Sequence, residues 1–400
     1  MAQQIRWAKN QFEQTSDQAN RMDKREIAKV RAFHESFPQY TQTPLVRLSY
    51  LAKRLGVADI YVKDESHRFN LNAFKVLGGS YAMGRYIASL IDADIADLPY
   101  ARLISDEIRE KIGAVTFFTA TDGNHGRGVA WAANQMGQKS VVYMPAGSST
   151  YRLEKIRAEG ADASIQPGNY DYAVKKAAMD AQSVPNGVVV QDTAWDGYEE
   201  IPSHIMQGYG TMALEAEEQL GGVKPTHIFV QAGVGSLAGA VVGYFASAHG
   251  DDRPVNVVIE PTVADCHYKS AVAGSYQTVG GDMATIMAGL ACGEPNTISF
   301  DILRNKADAF VSCPDWVAAR GMRMLAAPIP GDAPVVSGES GAVGVGLLSA
   351  ILQSNDLHDL RDALGLNENS VVLLFSTEGD TDPQKYQDIV WDGDNASLTR

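Results

Sequence analysis

The chain has 400 residues, 45% hydrophobic and 20% charged, an ordinary globular balance with room for two domains or one large α/β unit with a lobe. A formal net charge of −14 argues against nucleic acid and anionic membrane as partners, and no apolar run is long enough to span a bilayer. Three cysteines, Cys266, Cys292 and Cys313, are too few for a disulfide scaffold and lack metal-ligand spacing. With no apolar leader in Met1 to Trp7, a cytoplasmic location and no bound metal are the expectations.

The first thirty-odd residues are polar and charged and read as a surface arm or short helix. Thr43-Pro44-Leu45 leads through a helix-like 48–55 segment into a strand at 60–65. Strand patterns then recur at 115–119, 140–144, 188–191, 228–231, 255–260 and 371–375, with helical patterns at 126–136, 171–181, 205–219 and 237–248. This alternation implies βαβ units, hence an α/β protein with mostly parallel sheets covered on both faces. Segments 92–106 and 326–336 read as surface excursions. No repeat or linker is visible, and the expected division is 1–84 with 196–400 as a large domain and 85–195 as a small one.

Several segments carry chemistry. Lys75 lies in Phe69-Asn-Leu-Asn-Ala-Phe74-Lys75-Val-Leu-Gly-Gly79, and its apolar neighbours Phe74, Val76 and Leu77 favour an uncharged, nucleophilic amine. Thr119-Ala-Thr121-Asp122-Gly123-Asn124-His125-Gly126 follows a strand and opens a helix, so its amides and the helix dipole make an anion site; Asp122 can also be read as an N-cap. Ala232-Gly233-Val234-Gly235-Ser236-Leu237-Ala238-Gly239 repeats that strand-to-helix pattern. It reads either as a phosphate cradle or as a dinucleotide fingerprint with Glu260 as its acidic residue. Ser337 to Ala342 and the polar turn from Ser376 to Asp382 complete the set.

In this order, across residues 43 to 382, the segments resemble the fold-type II pyridoxal-phosphate enzymes, which include the serine and threonine dehydratases and the tryptophan synthase β chain. The resemblance implies two doubly wound, mostly parallel sheet domains with pyridoxal 5'-phosphate in the cleft between them. Lys75 is then the Schiff-base lysine beside Phe74, and Asn124 the partner of the cofactor's phenolic oxygen. Gly233, Val234, Gly235, Ser236 and Leu237 hold the phosphate, Glu339 lies near the ring, and Thr377 is hydrogen-bonded to the ring nitrogen. Thr121, Asp122, Gly123, Asn124 and His125 bind the substrate carboxylate, with His125 shaping the turn. A homodimer acting on a small amino acid is implied as well.

Asp122 narrows the choice, since dehydratases of hydroxy amino acids carry Ser there. A carboxylate beside the substrate calls for a substrate cation or a proton to move, and a β-ammonium supplies the cation. Together with Gln191-Asp192-Thr-Ala-Trp195 and Ile286-Met-Ala-Gly-Leu-Ala-Cys292, this turn resembles the ammonia-lyases of that family that act on 2,3-diaminopropionate. Lys75, Asp122 and Asp192 are the catalytic candidates, although Asp192 also reads as a helix cap or ion-pair partner. Whether the D, the L or both enantiomers react is open. A serine or threonine dehydratase is the alternative within the fold, and a non-catalytic nucleotide- or amino-acid-binding regulator the alternative outside it. Cys266 and Cys292 are expected near the site mouth as free thiols, with a disulfide as the alternative.

Overall fold

The computed structural model describes residues 4–15 and 18–397; Met1, Ala2 and Gln3, read above for a leader, lie outside them. The chain forms two compact units. One comprises Met1–Lys24, Thr43–His67 and Met212–Arg400, the other Arg25–Gln42 and Arg68–Thr211. These limits differ from the sequence division at 84 and 195: the Lys75 segment and residues 196–211 join the smaller unit, as does 25–42.

Eleven strands occur among the described residues: β1 Arg6–Lys9, β2 Leu45–Arg47, β3 Asp59–Asp64, β4 Thr116–Ala120, β5 Lys139–Met144, β6 Asp162–Ile165, β7 Gly187–Val189, β8 His227–Gln231, β9 Val255–Pro261, β10 Ala309–Cys313 and β11 Val371–Ser376. The larger unit holds a seven-stranded sheet in the order β1-β10-β9-β8-β11-β3-β2. Its five central strands are parallel, and β1 and β2 close the edges antiparallel. Every residue of β3, β8 and β10 is buried, as expected of parallel strands covered by helices on both faces. Leu347, Leu348 and Ile351 of the helix Glu339–Gln353 pack with Phe229, Val257, Ile259, Val372 and Leu374 in the core of this unit.

The smaller unit holds a four-stranded parallel sheet in the order β6-β5-β4-β7. Helix Val76–Leu90 crosses helix Asn124–Gln135 at glycine contacts: a Cβ on Gly128 would lie 2.8 Å from the Val76 nitrogen. The two helix starts that carry Lys75 and Asn124 therefore approach as closely as backbone allows.

The N-terminal reading needs correction. Residues 6–9 are an edge strand and Lys24–Glu35 a helix that buries Ile27, Val30, Phe33 and His34. The His34 ring bonds Thr211 Oγ1 at 2.8 Å and the Leu77 carbonyl at 3.0 Å, which ties this helix to the one that follows Lys75. Charged residues between the apolar positions conceal that stripe in the sequence.

In an open parallel sheet, ligands bind beyond the carboxyl ends of the strands where the winding reverses. In the smaller unit the chain runs β4, β5, β6 to one side and returns to β7 on the other, so the reversal lies between β4 and β7. In the larger unit β8, β9 and β10 run one way and β11 lies across β8, so the reversal lies between β8 and β11. The conspicuous motifs sit at these two places.

Candidate active site

In the smaller unit the backbone enters the Lys75 segment through three non-glycine residues in the left-handed region, Phe69 (φ 49°), Asn70 (φ 59°) and Asn72 (φ 61°). Asn tolerates this region; Phe69 is held there by packing, its ring 4.9 Å from that of Trp131. Lys75 then stands immediately before helix Val76–Leu90. Its Nζ donates to Asp192 Oδ2 and lies 5.5 Å and 5.8 Å from the ring centroids of Phe74 and Tyr209. Burial alone would raise the Asp192 carboxyl, but the Lys75 ammonium, with help from His125, brings it down to about 2. Asp192 is therefore an ion-pair partner, and its partner is the site lysine.

Gln191 stitches the ends of β4 and β7 together. Its side-chain oxygen accepts from Thr119 Oγ1 at 3.0 Å and the Ala120 amide at 3.1 Å, while its side-chain nitrogen donates to Tyr170 OH at 2.6 Å. This seam brings the Asp122 turn beside Asp192. Asp122 is not an N-cap: Gly123 holds the cap position of helix Asn124–Gln135, without a side-chain cap bond. Thr121 organises the turn, its Oγ1 accepting from the amides of Gly123 at 2.9 Å and Gly126 at 3.0 Å. The His125 Nε2 bonds the Val190 carbonyl at 2.8 Å, and its Nδ1 lies 3.9 Å from Asp192. Burial raises the Asp122 carboxyl to about 6, against the pull of Arg152 and with a further push from Asp192. A carboxyl near neutrality, beside a lysine and a second carboxylate, can both accept and return a proton.

In the larger unit Gly235 adopts φ 98° and caps helix Ser236–His249, whose first turn carries no acidic side chain. A Cβ there would stand 2.6 Å from His267 Nε2 and 2.7 Å from Ser299 Oγ, so only glycine fits. The Val234 carbonyl accepts from the Asn296 amide at 2.7 Å, and Ser236 Oγ accepts from Asn296 Nδ2 at 2.9 Å, which directs the Ser236 hydroxyl proton elsewhere. Leu237 is buried, and the Gly289–Cys292 segment lies against Gly233. Across the β8–β11 reversal, Gln231 Nε2 donates to Thr377 Oγ1 at 2.8 Å and to the Phe375 carbonyl at 3.0 Å. Thr377 thus accepts one bond and keeps its own proton to donate. Glu339 is buried at the start of its helix, and the next amide, Ser340, donates to Glu378 at 3.0 Å.

Glu260 removes the dinucleotide reading. It is fully buried and accepts the amides of His267 at 2.9 Å and Tyr268 at 2.7 Å, so it caps a helix and offers nothing to a ribose. None of the three cysteines is in a disulfide, and Cys266 Sγ lies 3.8 Å from the Cys292 carbonyl.

A family model described as pyridoxal-phosphate dependent enzyme matches residues 37–377. The chain belongs to that family. The diaminopropionate ammonia-lyase of Salmonella typhimurium (strain LT2) is 55% identical over 373 residues, covering 92% of each chain. That of Escherichia coli (strain K12) is 50% identical over 369 residues, again covering 92% of each. The crystal structure of holo diaminopropionate ammonia lyase from Escherichia coli superposes with a TM-score of 0.92 at 46% identity, covering 99% of both chains. The fold is fold-type II and the cofactor is pyridoxal 5'-phosphate.

The residues fit that group. The Gly235 cradle leaves no space for a Cβ yet presents a helix start to an anion, and Thr377 keeps a donor of the kind a pyridine nitrogen accepts. Replacing Gly235 with Val should therefore release the cofactor on gel filtration. Stability should fall too, because the new side chain meets buried His267. Retention of the cofactor by the variant would remove the phosphate role from this loop.

Sequence reasoning missed Tyr209, Gln191, Arg152, Gln231, Asn296 and His267. Asn296 is legible as a helix cap, since its Oδ1 accepts from the amides of Ile298 and Ser299, but its bond to Ser236 is not. Tyr209 lies mid-helix and fully buried, with a hydroxyl that has no hydrogen-bond partner of good geometry. Nothing in a sequence separates such a tyrosine from a packing residue.

Proposed function

We propose that the chain catalyses α,β-elimination of 2,3-diaminopropionate, yielding pyruvate and two ammonia with uptake of one water. The observation that carries this reading is the pair of carboxylates, half-buried Asp122 and buried Asp192, gathered with Lys75 at the β4–β7 reversal. An anionic amino acid alone would be repelled there; one with a second ammonium on its β-carbon is matched. The relatives at 50–55% identity bear the name of that reaction.

Pyridoxal phosphate, when bound, acidifies the substrate α-hydrogen and accepts the electron pair left by the lost proton. Lys75 holds the cofactor, and Phe74 and Tyr209 keep its amine in an apolar surround. Asn124 would serve the cofactor's phenolic oxygen, residues 233–237 its phosphate, and Thr377 and Glu339 its ring. The turn from Thr121 to His125 orients the substrate carboxylate. Asp192, which the Lys75 ammonium holds as an anion, would face a substrate ammonium at the same place. Lys75 takes the α-proton of one enantiomer and Asp122 that of the other. The β-amine arrives protonated, and a facing carboxylate keeps it so, which makes ammonia a good leaving group. We place the protein in the cytoplasm as a homodimer, the latter checked by light scattering.

Steady-state kinetics on D- and L-diaminopropionate, serine and threonine test the reading. A kcat/KM higher for diaminopropionate supports it, and a preference for serine or threonine would replace it with the dehydratase. For the enantiomer that uses Asp122 as base, kcat/KM should rise with pH through about 6, because the active form is the carboxylate and burial raises its pKa to that value. A flat profile from pH 5 to 7 would remove Asp122 from proton transfer.

A further inference from the structure

The ring of Tyr209 lies beside Lys75, yet the elimination derived above uses only its apolar character. Backbone holds the ring there. Helix Glu200–Gln219 crosses helix Val76–Leu90 at two glycines: a Cβ on Gly208 would collide with the Leu77 carbonyl, and one on Gly78 would lie 2.6 Å from the Tyr209 ring. The ring also packs on Phe74, with 4.6 Å between centroids.

The Tyr209 hydroxyl is buried and has no aligned hydrogen-bond partner. The Lys75 amine is within its reach, but that amine is drawn to Asp192 Oδ2. An unmatched buried hydroxyl costs stability, so its presence in the resting chain calls for a use. Burial raises the phenol above its ordinary pKa, which keeps it neutral, with lone pairs free to accept an N–H.

We propose that Tyr209 is a positioning residue that acts through Lys75: its oxygen takes an N–H of the amine when a substrate ammonium occupies Asp192. The proposal rests on the reading of Lys75 as the base for one enantiomer. Asp192 cannot serve two cations equally well, and an amine left without an acceptor swings freely. One N–H given to a fixed oxygen turns the lone pair away from Tyr209 and limits the directions it can sweep. Once Nζ has taken the α-proton, the same oxygen accepts from the ammonium. No proton leaves the phenol.

The test uses Tyr209→Phe, which keeps the ring and its packing, in the native chain and in Asp192→Asn, where the competing carboxylate is neutralised. Competitive labelling of the cofactor-free chains with acetic anhydride, read at Lys75 by peptide mass, gives the protonation midpoint of the amine. In Asp192→Asn, Tyr209→Phe should lower that midpoint by about half a unit to one unit, because the lost oxygen favours the ammonium. In the native chain the change should be smaller. Asp122 and His125, which also face Lys75, are the same in every chain. In the loaded enzyme Tyr209→Phe should cost about 10-fold in kcat for the enantiomer that uses Lys75, and little for the other. Melting temperature and cofactor content should stay native, since the hydroxyl has no aligned partner at rest. An unmoved midpoint in Asp192→Asn, equal losses on both enantiomers, or a lower melting temperature would overturn the proposal. A native chain inactive on diaminopropionate would instead strike the proposed reaction, and the labelling would still decide the role of Tyr209.

Discussion

Lys75→Ala is expected to lose turnover by about 10⁴-fold or more, the scale seen when a covalent nucleophile is removed, together with the cofactor's near-visible absorbance band. The structure adds a second effect. Asp192 is buried, and the Lys75 ammonium that faces it is the main group keeping it anionic. Without the ammonium, an uncompensated buried charge costs about 3–5 kcal/mol, relieved in part by protonation of Asp192 and by His125 at 3.9 Å. The Ala variant should therefore melt earlier as well as being inactive. Lys75→Arg separates the two effects: it keeps the cation opposite Asp192 and most of the stability but has no amine to offer. Denaturant melts and absorbance spectra of both variants decide the matter. An active, coloured Ala variant would show that Lys75 is only an ion-pair partner.

Asp122→Asn should cost about 10²- to 10⁴-fold in elimination of one enantiomer of diaminopropionate, the usual loss for a positioned general base, with a smaller effect on the other. The amide keeps the turn, since Thr121 and not Asp122 receives the amides of Gly123 and Gly126. What disappears is the proton acceptor near pH 6 and one negative partner for a substrate ammonium. Serine, which has no β-ammonium, should suffer less. Cofactor content should stay near native, which distinguishes a chemical defect from a folding one. Equal rates for the variant and the native chain on both enantiomers would leave Asp122 without a catalytic role.

The central parallel strands are legible because residues buried on both faces must be apolar: Ile228 to Gln231, Val255 to Glu260 and Val371 to Phe375 read as strands from composition alone. The edges are not. β1 is Arg-Trp-Ala-Lys, and charge on an edge strand guards it against pairing with another chain while masking it as a strand. The motif residues around Lys75, Gly235 and Thr377 are legible because cofactor chemistry restricts residue type locally. Gln191, Tyr209, Arg152 and His267 are not, because their roles come from chain reversals that bring distant segments together. Asp122 illustrates the limit: sequence supplies the carboxylate, but only burial with Asp192 and Arg152 around it sets its proton affinity.

The most direct test is the ratio of ammonia to pyruvate formed by the purified, pyridoxal-phosphate-loaded chain from a limiting amount of diaminopropionate. Elimination of the β-amine followed by hydrolysis gives two ammonia for each pyruvate, whereas dehydration of a hydroxy amino acid gives one. A ratio of two, with substrate fully consumed, is the predicted result. No pyruvate from diaminopropionate, alongside one ammonia per pyruvate from serine, would contradict the proposed function.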